Sequence, residues 1–397
     1  MLSGVNVALG VTGSIAAVTN VELIHELRRR GANVRVLMSG SATDIVHPWS
    51  LELASENPVA TEITGAVEHV EMGGVDGWAD VYLIAPATAN TVGKMAAAID
   101  DTAVTTMATT AMGSGIPIVI APAMHEPMYD HPGVLDAIER LEEWGVRFVD
   151  PRVEEGKAKI ATQDSIAVET ARAASEHPLD GVHVVVTAGA TSEPIDPVRV
   201  LTNRSSGRTG REVAKACYVR GADVTLVHGQ VGPRPVDADP ANPEATDPIY
   251  ADLVSVETAG EMLEACREVA GDADALVSAA AIGDYTVEAA DEKLRSGQDR
   301  TLDLEPTPKL LDSIREGHPD LPMVGFKVET SGDDDAMVRE ARDLRDRVDL
   351  EFVVANDASV MGEADTRTLF VDDEATEVVG SKADVGGRVA EELASRL

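Results

Sequence analysis

Cysteine is almost missing from this chain: Cys217 and Cys266 are the two present in 397 residues, far apart and both on helical patterns. No CxxC spacing exists, which excludes a dithiol redox centre or thiol-ligated metal and leaves two buried free thiols as the expectation. Long apolar runs are missing as well, and Met1 does not open a charged, apolar, small-residue leader, so no membrane partner and a cytoplasmic location are expected. Positive charge is scarce, with 33 lysines and arginines against 69 acidic residues and a net charge of -36. Repulsion of phosphate over such a surface excludes nucleic acid as a partner.

The acid is spread along the whole chain rather than gathered in a tail, which points to a solvated surface working in concentrated salt, as in a halophile. Only eight lysines occur, so arginine carries most of the positive charge. Five of them, Lys157, Lys159, Lys293, Lys309 and Lys327, fall in segments that carry motifs. Chance and ordinary surface placement account equally well for two or three of these five.

The length allows two domains, each with its own core. A strand, turn, helix and strand follow one another twice: VNVALGVTGSIAA (5–17) with RRRGANVRVLMS (28–39), and VHVVVTAGAT (182–191) with VRGADVTLVHG (219–229). The pattern predicts an α/β fold of two doubly wound domains. The polar, proline-containing SEHPLDG (175–181) marks the boundary, giving domains 1–178 and 179–397. Further strands are expected at 81–87, 116–121, 146–149, 275–281, 323–328 and 351–355, a hairpin at 368–379, and a long Pro/Asp-rich loop at 232–248.

The turn Thr12-Gly13-Ser14-Ile15-Ala16 follows a strand and opens a helix, where backbone N–H groups and a hydroxyl meet a phosphate. GxGxxG is absent, so a mononucleotide phosphate is expected there, with Ser39 and Ser41 adding hydroxyls. A strand-to-helix turn needs small residues in any case, so the turn alone decides nothing. Two further segments follow strands at their carboxyl ends, where open α/β sheets bind ligands. They are PATANTVGKMAAAIDDTAVTT (86–106), with Pro86, Ala87, Thr88, Thr105 and Thr106, and APAMHEPMY (121–129), with Met124 and His125. Together with His69 in VEHVEMGGVDGWADV, they resemble the flavin-dependent cysteine decarboxylases that make 4'-phosphopantetheine, over residues 5–174.

That resemblance implies a flavodoxin-like flavoprotein domain with FMN as the electron sink, oxidising the substrate CH2–SH to a thioaldehyde so that CO2 can leave. It makes His69 the base near the thiol. Where bacterial members place an asparagine on the substrate carboxylate, this chain has His125, which still donates a hydrogen bond. Bacterial members also carry a flap cysteine that protonates the final intermediate. EEGKAKIA (154–161) aligns with the end of that flap and has none, so Lys157, Lys159 or a water supplies the proton, or the last reduction is impaired.

In the second half, TNRSSGRTG (202–210) is read as following the strand 183–188 and opening a helix at 211–220, so that N–H groups and a cation meet an anion. Its wording resembles the NxSSGxxG segment of phosphopantothenate–cysteine ligases. Four more segments agree in order: SAAAIGDY (278–285), EKLRSG (292–297), PTPKLL (306–311) with VGFKVET (324–330), and ANDAS (355–359). The resemblance implies a second Rossmann-like domain that activates a carboxylate with CTP and Mg2+. Asn203 would donate to the acyl-phosphate, with Ser205, Ser206 and Gly207 on the substrate. Ser278, Ala279, Ala280, Asp284, Pro308, Lys309, Leu310, Leu311 and Phe326 would line the nucleotide, with Lys293 as the cation of a mobile lid. Arg342 and Arg345, on the helix 336–348, stand in for two family lysines without a clean match, although a solvated helix face explains them equally well.

The implied protein is a bifunctional coenzyme A biosynthesis enzyme that ligates 4'-phosphopantothenate to L-cysteine and decarboxylates the product, and family decarboxylase domains assemble as trimers or a dodecamer. Competing classes are a ligase with a flavin-binding scaffold, motivated by the missing cysteine, and a non-enzymatic regulatory subunit, opposed by the intact ligase motifs. A flavin prenyltransferase would leave Asn203 and Lys293 unexplained.

Overall fold

The protein is described by a computed structural model over residues 1–154, 157–229, 248–297, 299–329, 334–357 and 365–397. It divides into two compact units, Met1–Glu176 and His177–Leu397.

In the first unit, strands β1 (Asn6–Val11), β2 (Asn33–Met38), β3 (Val59–Ala60), β4 (Val81–Ala87), β5 (Ile118–Pro122) and β7 (Arg147–Phe148) form a parallel sheet in the order β3-β2-β1-β4-β5-β7. A parallel sheet covered on both faces demands apolar side chains at every position, and all seven residues of β4 are buried. One face packs Ala8, Tyr82, Ile84 and Ile120 against Val104, Met107 and Leu141 of the covering helices. A small antiparallel sheet joins β6 (Met124–His125), β8 (Arg152–Glu154) and β9 (Lys157–Lys159) in the order β6-β9-β8.

The second unit repeats the plan. Strands β10 (His183–Gly189), β13 (Asp223–Gly229), β14 (Asp252–Val256), β15 (Ala275–Ser278), β18 (Met323–Glu329) and β19 (Phe352–Asp357) are parallel, in the order β14-β13-β10-β15-β18-β19. The antiparallel strands β20 (Asp365–Val371) and β21 (Ala375–Ser381) extend that edge. Two hairpins, β11 (Ser192–Asp196) with β12 (Arg199–Thr202) and β16 (Tyr285–Val287) with β17 (Leu304–Pro306), stand outside the main sheet.

In both units the strand preceding the first crossover lies in the middle and the order runs outward in two directions, 3-2-1-4-5, which is the Rossmann order. The flavodoxin-like expectation for the first unit is corrected by this, since flavodoxin runs 2-1-3-4-5. A second correction concerns 202–210: the hairpin β11–β12 intervenes between β10 and that segment, and its helix begins at Arg208. The sequence reading missed the hairpin because Pro194, Pro197 and a register shift at Pro194/Asp196 break any alternation. The loop expected at 232–248 lies outside the described residues up to 247, as do Thr330 and the end of ANDAS from residue 358.

Candidate active sites

Ligands of open α/β sheets bind beyond the carboxyl ends of the strands where the order reverses. In the first unit that place lies between β1 and β4, and one side chain ties its two loops together. Thr12 Oγ1 donates to the Pro86 carbonyl at 2.7 Å and accepts from the Thr88 N–H at 3.1 Å. Ser14 Oγ donates to the Ala123 carbonyl at 3.2 Å, adding the segment after β5. Gly13 cannot carry a side chain, because a Cβ would stand 2.4 Å from Ser41 Oγ. Ser41 in turn lies 3.2 Å from the Ser39 hydroxyl, and the Ser39 N–H donates to the Val11 carbonyl at 3.0 Å. Gly13, Ser14, Ser39, Ser41, Pro86, Ala87 and Thr88 are thus brought together, with Ile15 exposed and Ala16 half-buried alongside. Thr105 is not free for this cradle: its hydroxyl closes a capping box with Thr102 at the start of the helix Ala103–Ser114, leaving half-buried Thr106 beside it.

Asn20, unremarked in the sequence, opens the helix that follows the turn. It is fully buried, its Nδ2 donates to the Ala85 carbonyl at 3.0 Å, and its Oδ1 has no partner among the described residues. A buried orphan acceptor costs about 1–3 kcal/mol, a burden tolerated at ligand sites more than elsewhere.

His69 lies on the six-residue helix Glu68–Gly73, with its Nδ1 buried and unpaired among the described residues. So short a helix is marginal alone and is held from outside. Arg35 of β2 pairs with Glu71 at 2.7 Å while its guanidinium covers the Trp78 ring at 4.4 Å, and Gly73 lies against Met107. Its N-cap, Val67, adopts φ 53, a left-handed conformation that a β-branched residue accepts only under constraint.

His125 lies opposite Lys157, and Met124 opposite Ala158, in the β6–β9 pair; Lys159 lies opposite Arg152 in the β8–β9 pair. The flap is therefore a short sheet that sets the candidate carboxylate donor and a candidate proton donor in register. Glu155 and Gly156 fall outside the described residues.

In the second unit the order reverses between β10 and β15. Here too a threonine bridges the loops: Thr191 Oγ1 accepts from the Gly283 N–H at 2.8 Å, next to a bridge between Ala190 and Ala281. Thr187 Oγ1 accepts from the Ala280 N–H at 3.1 Å, fixing the run from Ser278 through Ala279 and Ala280. Asn203 Nδ2 donates to the Ala281 carbonyl at 3.0 Å, so the two motifs placed apart in sequence meet. Gly207 (φ 72) caps the helix Arg208–Val219, and a Cβ there would lie 2.7 Å from the Gly189 nitrogen. Its N–H donates to Ser205 Oγ at 3.2 Å, and Arg211 binds both the Ser206 carbonyl, at 2.9 Å, and His228, at 2.7 Å.

Asp284 and Lys309 form an exposed ion pair at 2.7 Å that joins the SAAAIGDY and PTPKLL segments, with Pro308 exposed and Phe326 half-buried. Asn356 brings a buried Oδ1, without a partner among the described residues, to the end of β19. Lys293 stands exposed in the irregular stretch between β16 and β17. Four nucleotide assignments need correction. Leu310 and Leu311 pack into the hydrophobic core, so the helix Leu310–Gly317 uses them to seat itself. Arg342 and Arg345 bind Asp373 in the turn between β20 and β21, at 3.1 and 3.0 Å. That turn adjoins the amino end of β19, the edge opposite the site. Among the described residues no three His, Cys, Asp or Glu side chains converge to hold a metal ion, and no helix is long and apolar enough to cross a membrane.

Two Rossmann-order units, each with a polar cradle at its point of reversal, define an α/β protein with two candidate small-molecule sites. Residues 1–175 match the flavoprotein family, and residues 179–397 match the DNA/pantothenate metabolism flavoprotein C-terminal domain. The coenzyme A biosynthesis bifunctional protein CoaBC of Thermococcus kodakarensis is 44% identical over 374 residues, 93% of this chain and 89% of its own. That of Bacillus subtilis is 34% identical over 418 residues, 100% of this chain and 98% of its own. The chain belongs to this family of bifunctional coenzyme A biosynthesis proteins, and its activities are those of a ligase and a decarboxylase.

Proposed function

We propose that the second unit joins 4'-phosphopantothenate to L-cysteine with CTP, and that the first decarboxylates the product with FMN. The observation that carries this reading is the hydrogen bond from Asn203 to the Ala281 carbonyl, which sets the ligation loop on the nucleotide segment at the point where the sheet reverses. There the substrate carboxylate attacks the α-phosphorus, pyrophosphate leaves, and the cysteine amine then displaces CMP. Asn203 donates to the acyl-phosphate, Lys293 answers the triphosphate charge, and the Asp284–Lys309 pair fixes the segments around the base. Among the described residues the carboxylates do not form a cage for Mg2+, and an ion would rely on the triphosphate's own oxygens.

The first unit's cradle fits a phosphate-bearing cofactor: the missing side chain at Gly13 lets Ser41 close onto the turn, the hydroxyls of Ser14, Ser39 and Ser41 gather there, and Asn20 Oδ1, without a partner among the described residues, offers an acceptor to a cofactor hydroxyl. FMN supplies the electron sink that makes the carboxylate a leaving group. His69 accepts the thiol proton through a ring nitrogen, His125 orients the carboxylate, and Lys157 or Lys159 returns the last proton. The assembly is proposed to be a homo-oligomer. A second reading, a ligase with an impaired flavin-binding scaffold, draws on one fact: both cysteines lie in the second unit, buried, so neither can serve the flap.

The test uses the whole chain. Asn203→Ala and Lys293→Ala should each abolish CMP release while CO2 release from 4'-phosphopantothenoylcysteine continues, and His69→Asn should do the reverse. Unchanged CMP release in both ligase variants sinks the site assignment. A purified chain that binds FMN but releases no CO2 from 4'-phosphopantothenoylcysteine would leave the scaffold reading.

A further inference from the structure

The stretch between β16 and β17 has no regular structure among its described residues and is almost wholly exposed, yet it carries Lys293. At the next residue the chain is gripped on both sides of the peptide. The Leu294 N–H donates to Asp196 Oδ2 at 3.1 Å, and the Leu294 carbonyl accepts from the Arg199 guanidinium at 2.6 Å. Asp196 is fully buried as a side chain. Its other oxygen, Oδ1, accepts from the backbone N–H groups of Val198 and Arg199 at 2.8 and 2.9 Å, closing the turn between β11 and β12. One carboxylate thus holds the hairpin turn with one oxygen and the Lys293 segment with the other, which also lies 3.5 Å from the Arg199 guanidinium.

The hairpin is itself anchored. Thr202 Oγ1 donates to the Thr191 carbonyl at 2.8 Å, and Glu193 accepts from the Ala259 N–H at 2.8 Å and from the Thr286 hydroxyl at 2.9 Å. The strand β12 ends at Thr202 and delivers Asn203. The same rigid hairpin therefore presents Asn203 at its exit and pins the Lys293 segment at its turn.

We propose that Asp196 is a positioning residue of the ligase, a latch that fixes where Lys293 stands relative to Asn203. This rests on the reading of Lys293 as the lid cation. The latch works by pre-organisation: with Leu294 released, the segment samples many positions, and nucleotide binding has to collect it. Apparent affinity then falls by the fraction of molecules already closed, while turnover at saturating nucleotide survives because the bound triphosphate recruits Lys293.

Asp196→Asn separates the two roles, since the amide oxygen can keep the turn while its NH2 group faces the Leu294 N–H and cannot accept. In the full-length protein the KM for CTP should rise roughly tenfold with kcat changed by less than about twofold, the magnitude expected if about a tenth of molecules remain closed. The KM for 4'-phosphopantothenate should stay put, and trypsin should cut after Lys293 and Arg295 faster than in the parent at an unchanged melting temperature. Leu294→Pro combined with Arg199→Gln removes both grips on Leu294, the N–H to Asp196 and the carbonyl to Arg199, and should reproduce the pattern, which covers the case in which Asp196→Asn fails to fold. An unchanged KM for CTP in both variants, or a fall in kcat with no change in KM, overturns the latch. Lys293→Ala tells this apart from failure of the lid reading: full activity there refutes the lid, whatever the proteolysis shows, whereas inactivity there with silent latch variants refutes the latch alone.

Discussion

Cys217 and Cys266 are both buried, and burial pushes each thiol from 9.0 up to about 12. A thiolate is the reactive form, so the native chain should ignore a thiol reagent at pH 8 and react at both positions once unfolded. Because the folded values are raised, their stabilising effect is complete below pH 9 and is lost as pH climbs towards 12. Melting temperature should fall over that window, and Cys217→Ala with Cys266→Ala should flatten the fall. Reagent uptake by the native chain would show one thiol to be accessible. Lys157 poses a different question. Its strand sets it opposite His125, and no cysteine exists to end the decarboxylation. If it or Lys159 delivers the last proton, the Lys157→Met, Lys159→Met double variant should release CO2 normally but yield a product two hydrogens lighter than phosphopantetheine by mass spectrometry. Wild-type yield of phosphopantetheine would move the role to a water or to His125.

At the level of elements, what the sequence showed and what it hid divide by the kind of force involved. Strands β1, β4, β10 and β15 were legible because a buried parallel strand must be an unbroken apolar run, and a turn of small residues at its end marks a cradle. The ligand edge followed from the same logic, which is why Gly13 with Ser41, and Asn203 with Ala281, meet in space. The hairpin β11–β12 was illegible because backbone pairing and buried carboxylates hold it, and neither leaves a periodic pattern. Arg342 and Arg345 misled because charge composition does not reveal helix direction: their partner Asp373 is set by the return of β20 along β19. The helix Glu68–Gly73 is a third case, since locally Glu68 holds its start, accepting from the Thr64 N–H and hydroxyl, while distant residues hold the rest. Its fixation by Arg35 implies that Arg35→Ala should slow CO2 release at least tenfold, a loss of about 1.4 kcal/mol in transition-state stabilisation. CMP release should be untouched, and a parallel loss of both activities would mean that Arg35 supports the fold generally.

At the scale of the whole molecule, the acid excess sets the solvent the fold requires. A net charge of -36 repels itself wherever charges are exposed. The ion pairs that oppose this are mostly surface pairs such as Arg367–Asp334, Lys94–Asp101 and Arg345–Asp373, each worth about 0–1 kcal/mol. They are too weak and, with 33 cations against 69 acids, too few to offset the excess. Salt acts on both terms, but unequally. The screening length falls from about 10 Å at 0.1 M to about 3 Å at 1 M, which removes long-range repulsion while contacts of 3 Å or less keep most of their attraction. Raising KCl from 0.1 to 2 M should therefore raise the urea midpoint of unfolding without changing the slope of the transition, and NaCl at equal ionic strength should match it, because the effect is screening rather than ion-specific. Replacing a dozen exposed acids by their amides should raise the low-salt midpoint and flatten the response. A midpoint that stays constant or falls with KCl would show that the acidic surface does not govern stability.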